Sequence, residues 1–150
     1  MERAASPFRT RSLRKTLPDP PVIQYRNTDL DLVTDIDPAP LVAEFESRGL
    51  SAQVTTGGCG LWYVICEDEN ETEPEPEPEP NIVRLLDAVE SLSDPARVIW
   101  QHCSKCEFDV GYDCGDEPRA FNQALSNDVL RRIAACGATF SITLYPYRPD

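Results

Sequence analysis

The chain has 150 residues, with 14 lysines and arginines, 26 aspartates and glutamates and one histidine, and its formal net charge is −12. This length favours one domain with flexible ends, and a hydrophobic fraction of 41% is enough for a core, which excludes disorder of the whole chain. No apolar run approaches the roughly 18 residues of a membrane span, which excludes an integral membrane protein. The acidic balance argues against nucleic-acid binding by the fold as a whole.

The charge is distributed unevenly along the chain. Residues 1–17, called the basic head below, hold five basic residues and one acid, Glu2, and have a net charge of +4. The basic residues are Arg3, Arg9, Arg11, Arg14 and Lys15. Because no apolar stretch of about 7–15 residues follows, the head is not a secretory signal. We expect a disordered basic tail and linker over 1–27, with an organelle transit peptide and a nucleic-acid-binding arm as alternatives.

A second biased segment covers residues 67–80, which hold eight acids and no base and end in the repeat Glu73-Pro74 through Glu79-Pro80. Alternating prolines and repelling charges favour an extended polyproline-II conformation. Since the segment lies between an apolar strand and an apolar helix, we interpret it as an acidic loop inserted into a domain. A docking strut for a basic partner is the alternative to a merely lengthened loop.

The first half of the chain predicts a strand, a helix and a hairpin, in this order. Their expected ranges are 29–34, 37–49, 51–56 and 61–67. Asp37 followed by Pro38 is typical of a helix start, and Gly49 is typical of a helix end. Glycines at 57, 58 and 60 form the hairpin turn. Because Leu61–Cys66 is apolar on both faces, we place this strand in the interior of the sheet.

The second half predicts two helices, a strand, a further helix and a closing strand. The helices are expected to start at Asn81, at Ser93-Asp94-Pro95 and at Ser126, and the strands to cover 107–113 and 138–145. The second helix should end near Cys103 and the third at Gly137. In the closing strand, Phe140, Ile142 and Leu144 should face the core.

The order β-α-β-β-α-α-β-α-β predicts an α+β two-layer sandwich, with about five strands in an antiparallel or mixed sheet and helices on one face. The expected division is a single domain over 28–146, which contains the acidic Glu-Pro loop at 67–80, and a C-terminal tail over 147–150. The other face of the sheet would be open and polar. The candidate interaction face there consists of Asp109, Asp113, Thr139, Ser141 and Thr143.

Cysteine and histidine form the one chemical constellation in the sequence. Because there is no secretory signal, we expect the thiols to be reduced and the protein to be cytoplasmic. Cys103 and Cys106 form a C-x-x-C pair, and two thiolates at this spacing can bind one zinc ion. The candidate metal ligands are therefore Cys103, Cys106, Cys114 and His102, with Cys59 as the alternative fourth ligand. The competing interpretation is that these thiols are small hydrophobic residues at the edge of the core.

No catalytic signature is present, and we do not expect an enzyme or a cofactor other than zinc. The dinucleotide, P-loop, nucleophile-elbow and zinc-protease motifs are all missing. A thioredoxin-like role is disfavoured because the C-x-x-C pair follows a predicted helix C-terminus, where the helix dipole opposes the thiolate.

The segment Glu107-Phe108-Asp109-Val110-Gly111-Tyr112-Asp113-Cys114-Gly115 resembles a family of small bacterial α+β domains of unknown function. The run from Leu125-Ser126 to Ala135, with Gly137-Ala138 and the Ile142–Tyr145 strand, carries the same resemblance, which covers residues 28–146. Some members of this family are similar to immunity proteins for secreted toxins. The resemblance implies a fold and permits an interaction role. It implies no catalytic residue.

Two hypotheses of different class follow. The leading one is a soluble, non-enzymatic domain that binds another protein, and its sharpest form is an immunity protein against a basic toxin, because charge complementarity speeds association. The alternative is a zinc-binding protein that uses the Cys103, Cys106 and Cys114 cluster. Nucleic acid is expected as a partner only through the basic head, and the sequence predicts no particular oligomeric state.

Overall fold

The computed structural model describes residues 21–69 and 76–148, in which five strands and four helices follow the predicted order. Their bounds are β1 Gln24–Thr34, α1 Ala39–Ser47, β2 Leu50–Thr56, β3 Trp62–Asp68, α2 Glu79–Glu90, α3 Asp94–His102, β4 Lys105–Asp113, α4 Asn127–Ala135 and β5 Thr139–Tyr145. The basic head and residues 70–75 of the expected Glu-Pro loop lie outside the described residues. The expected bounds of that loop, 67–80, are too wide, because Glu67 and Asp68 belong to β3 and Glu79 and Pro80 belong to α2. Within the described ranges, no helix has the length and apolar content needed to cross a membrane.

The five strands form one open, mixed sheet in the order β2-β3-β1-β4-β5. Antiparallel pairing joins β2 to β3, β3 to β1 and β1 to β4, whereas β4 and β5 run parallel and are connected through α4. The predicted α+β class with a mixed sheet is therefore confirmed. As predicted, β3 lies in the interior of the sheet, next to the central strand β1.

The core lies between the sheet and the helices. Each strand presents alternate residues to the helices, as period-2 geometry requires. The largest fully buried side chains on the strands and helices are Leu30, Leu32, Val64, Phe108, Val110, Leu41, Phe45, Ile82, Leu85, Leu86 and Val89. Because all strand members of this set lie on one face, the opposite face of the sheet stays open.

Two predicted helix starts and two predicted helix ends are confirmed. The Asp37 carboxylate accepts a hydrogen bond from the Ala39 amide at 3.0 Å, and the Ser126 hydroxyl accepts one from the Val129 amide at 3.2 Å. Such bonds satisfy amides that lack a partner in the first helical turn. Gly49 and Gly137 follow α1 and α4 with φ of 82° and 77°, a conformation that favours glycine.

The first strand is longer than predicted. It begins at Gln24, so residues 24–27, which were assigned to the tail and linker, form part of the central strand. A shift in register between Tyr25 and Asn27 marks a bulge. The polar residues that suggested an interruption are accommodated, since the Tyr25 hydroxyl lies 2.7 Å from the buried Thr28 hydroxyl.

The second helix begins at Glu79 and not at Asn81, which corrects the predicted cap. Asn81 lies in the first turn and is buried. Its amide nitrogen donates a hydrogen bond to the Tyr25 hydroxyl at 2.6 Å. Its amide oxygen accepts a hydrogen bond from Arg84, which also pairs with Asp68. A polar residue that reads as a cap in the sequence therefore joins α2 to β1 and β3.

The edge strand β5 has the predicted orientation but is only partly covered. Phe140 and Ile142 pair in register with Phe108 and Val110, so they lie on the core face as expected. Phe140, Ile142 and Leu144 nevertheless remain 37%, 58% and 61% exposed. The predicted orientation of the three side chains is therefore confirmed, and this edge of the core face is only partly covered.

The contacts of Asn81 predict a large effect on stability. Asn81→Ala removes the hydrogen bonds to Tyr25 and Arg84 and leaves a buried gap, so the free energy of unfolding should fall by about 2–4 kcal/mol. Urea unfolding followed by circular dichroism measures this. The matched control Asn122→Ala alters an exposed loop asparagine and should change stability by less than about 0.5 kcal/mol. Equal effects of the two substitutions would contradict the buried network.

Candidate functional site

The candidate site is the face of the sheet opposite the helices, called the open face. It is formed by the outward residues of the strands, and those used below are Asp29, Asp31, Tyr63, Ile65, Glu67, Lys105, Glu107, Asp109, Asp113, Thr139, Ser141, Thr143 and Tyr145. Tyr63 and Ile65 are 43% and 41% exposed, which shows that no described element packs on them. The alternation that buries Leu30 and Leu32 places the intervening aspartates here.

Five carboxylates meet near the middle of this face. Asp29 lies directly opposite Asp109, and Asp31 lies directly opposite Glu107, in the antiparallel pair of β1 and β4. On the other side of β1, Glu67 of β3 lies close enough to Asp29 to raise the pKa of the Asp29 carboxyl. Directly opposed residues on one face of a sheet have Cβ atoms about 4.5–5.5 Å apart. These five residues are called the acidic cluster.

The hydroxyl groups of β5 hold the β4 carboxylates in place. Thr143 Oγ1 donates to Asp109, at 2.8 Å from Oδ1 and 2.9 Å from Oδ2. Ser141 Oγ lies 3.0 Å from both Asp109 Oδ1 and Glu107 Oε1, and Thr139 Oγ1 lies 3.2 Å from Glu107 Oε2. Because these neutral donors fix the carboxylates without removing their charge, the cluster is ordered and negative.

The crowding of like charges changes the ionisation of the cluster. Partial burial, together with the Glu67, Asp31 and Asp109 carboxylates, raises the pKa of Asp29 to about 7. Partial burial also raises the pKa of Asp31, although Lys105 acts in the opposite direction. Near neutral pH, the Asp29 carboxyl is thus partly protonated.

Two cations flank the acidic cluster at opposite ends of β4. Lys105 Nζ lies 3.4 Å from Glu107 Oε1 at one end. At the other end, Arg26 contacts Asp113 at 3.5 Å and stacks over the Tyr145 ring, 4.6 Å from its centroid. Six open-face carboxylates therefore face two cations, and the face keeps an excess of negative charge.

One oxygen of the cluster has an unmet hydrogen-bonding requirement. Asp31 Oδ1 is buried and has no hydrogen-bond partner among the described residues. A buried polar atom without a partner costs about 1–3 kcal/mol of folding free energy. A donor from outside the described fold would remove this cost.

The structure places all five residues of the predicted interaction face together on the open face. Asp109 lies in the acidic cluster with Thr139, Ser141 and Thr143 around it, and Asp113 lies at the end of the strand. The sequence did not reveal the contributions of Asp29, Asp31 and Glu67. The alternation Asp29-Leu30-Asp31-Leu32 was a signal that two acids share a face, but the strands opposite them depend on the sheet order.

The predicted metal ligands divide between separate places. Cys103 and Cys106 lie near each other, and they line, with Cys136, a cavity of about 380 Å³ beside Trp100. Cys114 follows the far end of β4, eight residues after Cys106 and about 26 Å from it along an extended strand. The described structure therefore does not bring Cys114 together with the pair. Cys59 lies in the β2–β3 turn.

His102 and the remaining thiols have other partners. His102 Nδ1 lies 2.8 Å from the Val98 carbonyl oxygen, and Cys103 and Cys136 donate to the carbonyls of Ile99 and Ile133. Within 21–69 and 76–148, no three histidine, cysteine, aspartate or glutamate side chains are arranged to hold a metal ion. The zinc hypothesis therefore gains no support from geometry.

Hydrogen bonding and burial separate the thiols chemically. A hydrogen bond with Cys106 lowers the pKa of Cys103, and the same bond, with burial, raises the pKa of Cys106. Burial raises the pKa of Cys66 to about 12. The pair is thus asymmetric, whereas Cys66 belongs to the core.

No family model, curated protein or solved structure matches this chain. The resemblance to small bacterial α+β domains remains an expectation from the sequence, and the open face carries the functional argument.

The raised pKa of Asp29 predicts that stability falls as pH rises. The unfolded carboxyl titrates near 3.8 and the folded one near 7, so the stabilising contribution of its proton is complete below pH 4 and is lost through pH 7. After allowance for solvent screening, we expect a loss of about 1–2 kcal/mol between pH 5 and pH 8. Asp29→Asn should remove this loss, as measured by urea unfolding.

Asp35→Asn, which removes an acid outside the cluster, should keep the pH dependence of the wild type. A wild-type chain equally stable at both pH values would contradict the prediction.

The thiols predict a defined order of alkylation. Exposed Cys59 should react with iodoacetamide at pH 8 in the native chain. Buried Cys66 should react at least about a hundredfold more slowly, because little of it is thiolate. Peptide mass spectrometry measures both rates, and unfolding in urea should make them similar. Rapid native labelling of Cys66 would show that the β3 core is open.

Proposed function

We propose that this chain is a protein-interaction domain that binds a basic protein on its open face. The observation that carries the proposal is the meeting of Asp29, Asp31, Glu67, Glu107 and Asp109 at adjacent positions of three neighbouring strands. Like charges opposite each other destabilise a sheet. An arrangement that costs stability and holds a buried carboxylate oxygen with no partner in the described part of the chain favours a binding role over a purely structural one.

The chemistry of the face indicates the kind of partner. Neighbouring strands are about 4.8 Å apart, so the carboxylates form a compact lattice that several lysine or arginine side chains can contact together. Arginine suits this lattice because its guanidinium donates two parallel hydrogen bonds to one carboxylate. Tyr63 and Ile65 supply an apolar border next to the charges. A basic protein surface with aliphatic side-chain stems fits both features.

The order within the face supports tight and fast binding. The hydroxyls of Thr139, Ser141 and Thr143 already fix the β4 carboxylates, so less side-chain freedom is lost when a partner binds. The negative field of the face accelerates the encounter with a positive partner. An immunity protein that neutralises a basic toxin is the form of this function that the resemblance favours, and the six free cysteines suit the reducing cytoplasm.

A labelled decalysine peptide tests the charge chemistry of the open face. Binding of the full chain at about 20 mM NaCl, followed by fluorescence anisotropy, should weaken strongly as salt is raised to about 300 mM. The double variant Glu107→Gln with Asp109→Asn keeps the shape of the side chains and removes two charges. We expect its dissociation constant to rise about tenfold or more.

The matched control is Asp35→Asn with Glu46→Gln, which removes the same charge from two exposed acids outside the open face. It should bind decalysine within about twofold of the wild type, because distant exposed charges are screened. If the face variant and the control weaken binding equally, the net charge of the chain binds the peptide and the proposed face is wrong.

A further inference from the structure

We infer that the basic head of this chain, residues 1–17, binds in cis to its own acidic open face and competes there with an external basic partner. The inference rests on the proposed function in one respect, because it assigns an occupant to the same face. It adds that the interaction is regulated from within the chain. Three observations carry it: the place where the head joins the fold, its length, and the complementary charges.

The chain enters the fold at the end of the sheet where the open-face strands β4 and β5 finish. The Pro21 carbonyl oxygen accepts a hydrogen bond from the Asp116 amide at 2.9 Å, and the Ile23 amide donates to the Glu117 carbonyl at 2.7 Å. The Cys114 amide donates to the Tyr145 carbonyl at 2.9 Å, which holds this loop against the end of β5. The described chain therefore begins, at Pro21, beside the ends of β4 and β5.

Close packing fixes this departure point. A Cβ atom on Gly115 would lie 2.3 Å from the Pro21 carbonyl oxygen, so the glycine permits the approach of the two backbones. Val22 adds a parallel bridge to Glu117. The start of the described chain is thus held against the end of the sheet by hydrogen bonds and close backbone packing.

The head is long enough to cover the acidic cluster. An extended chain spans about 3.3 Å per residue, so Lys15 reaches about 20 Å from Pro21 and Arg9 about 40 Å. The open face between Asp113 and Lys105 measures about 26 Å along β4. The four basic residues from Arg9 to Lys15 can therefore all lie over the cluster, with slack for the turn at the sheet end.

The charges of the two parts are complementary. The head has a net charge of +4, and the open face holds six carboxylates against the two cations Arg26 and Lys105. A second feature of the open face does not depend on its net charge. The buried Oδ1 atom of Asp31 has no hydrogen-bond donor among the described residues. A guanidinium or ammonium group from the head supplies such a donor.

Tethering gives the head an advantage over a free ligand. A segment joined to the fold by a short linker acts at an effective concentration in the millimolar range. Even a weak contact between the basic head and the open face is then formed most of the time, and an external partner must compete with it. A partner must therefore carry enough positive charge to displace the head, so the open face selects strongly basic proteins.

The test compares two full-length variants with equal loss of positive charge. The head variant carries Arg9→Gln, Arg11→Gln, Arg14→Gln and Lys15→Gln. The control variant carries Arg48→Gln, Arg119→Gln, Arg131→Gln and Arg148→Gln, at exposed positions outside the open face. Backbone amide shifts are recorded by ¹⁵N–¹H correlation spectra at about 20 mM NaCl, where charge effects are weakly screened.

We expect the head variant to shift open-face amides of β1, β3 and β4, and the control variant to leave them near their wild-type positions. Decalysine should bind the head variant about tenfold more tightly than the wild type, because competition is removed. Absence of open-face shifts, with equal decalysine affinity for the head variant and the wild type, overturns the inference. Shifts that depend on chain concentration also overturn it, because the head then binds a second copy.

The two proposals fail in different ways. If decalysine binds the wild type and the head variant equally well, the face is a basic-partner site that the head does not cover, and only the further inference is wrong. If decalysine binds neither protein but the head variant shifts open-face amides, the head occupies the face and the proposed external partner chemistry is wrong.

Discussion

The antiparallel pairing of β1 with β3 and β4 determines both surfaces of the sheet at once. The same register that buries Leu30 and Leu32 beneath the helices brings Asp29 and Asp31 opposite Asp109 and Glu107. A shift of one residue would move every side chain to the other face. Packing of the core thus keeps the carboxylates of the acidic cluster next to each other despite their repulsion. Their backbones cannot move apart unless the central strands unpair.

The polar contacts around Asn81 stabilise the start of this central strand. Tyr25 and Thr28 lie near its bulged end, where the strand alone would pair less regularly, and the amide of Asn81 joins them to α2. Arg84 continues the connection to Asp68 at the end of β3. Buried polar groups that are mutually satisfied specify one arrangement of strand and helix. This network therefore helps to fix the register on which the open face depends.

Sequence patterns were sufficient for the element order, because hydrophobic period and helix caps are local signals. Asp37-Pro38 and Ser126 mark helix starts in isolation, and the alternation in β4 identifies its outward acids. The start of β1 and the position of Asn81 were beyond such signals, since tertiary contacts override the weak strand propensity of Asn27 and the capping preference of asparagine. The acidic cluster was predicted only in part, because sequence alternation assigns a residue to a face of the sheet but does not identify its neighbours on adjacent strands. The placement of Cys114 was beyond sequence patterns for the same reason, since the length of β4 separates it from Cys103 and Cys106.

The exposed side chains of β5 have a consequence for how the chain reaches its folded state. Thr139–Tyr145 has no charge, no proline and no glycine, and it is rich in residues that favour strands, which is the composition of segments that aggregate. Its parallel partner β4 is reached only after the long connection through α4, so this pairing involves a costly loop closure. While the chain is being made and folded, this segment can therefore pair with strands of other molecules in a crowded solution. Pro146, directly after it, limits how far an intermolecular strand pairing could extend.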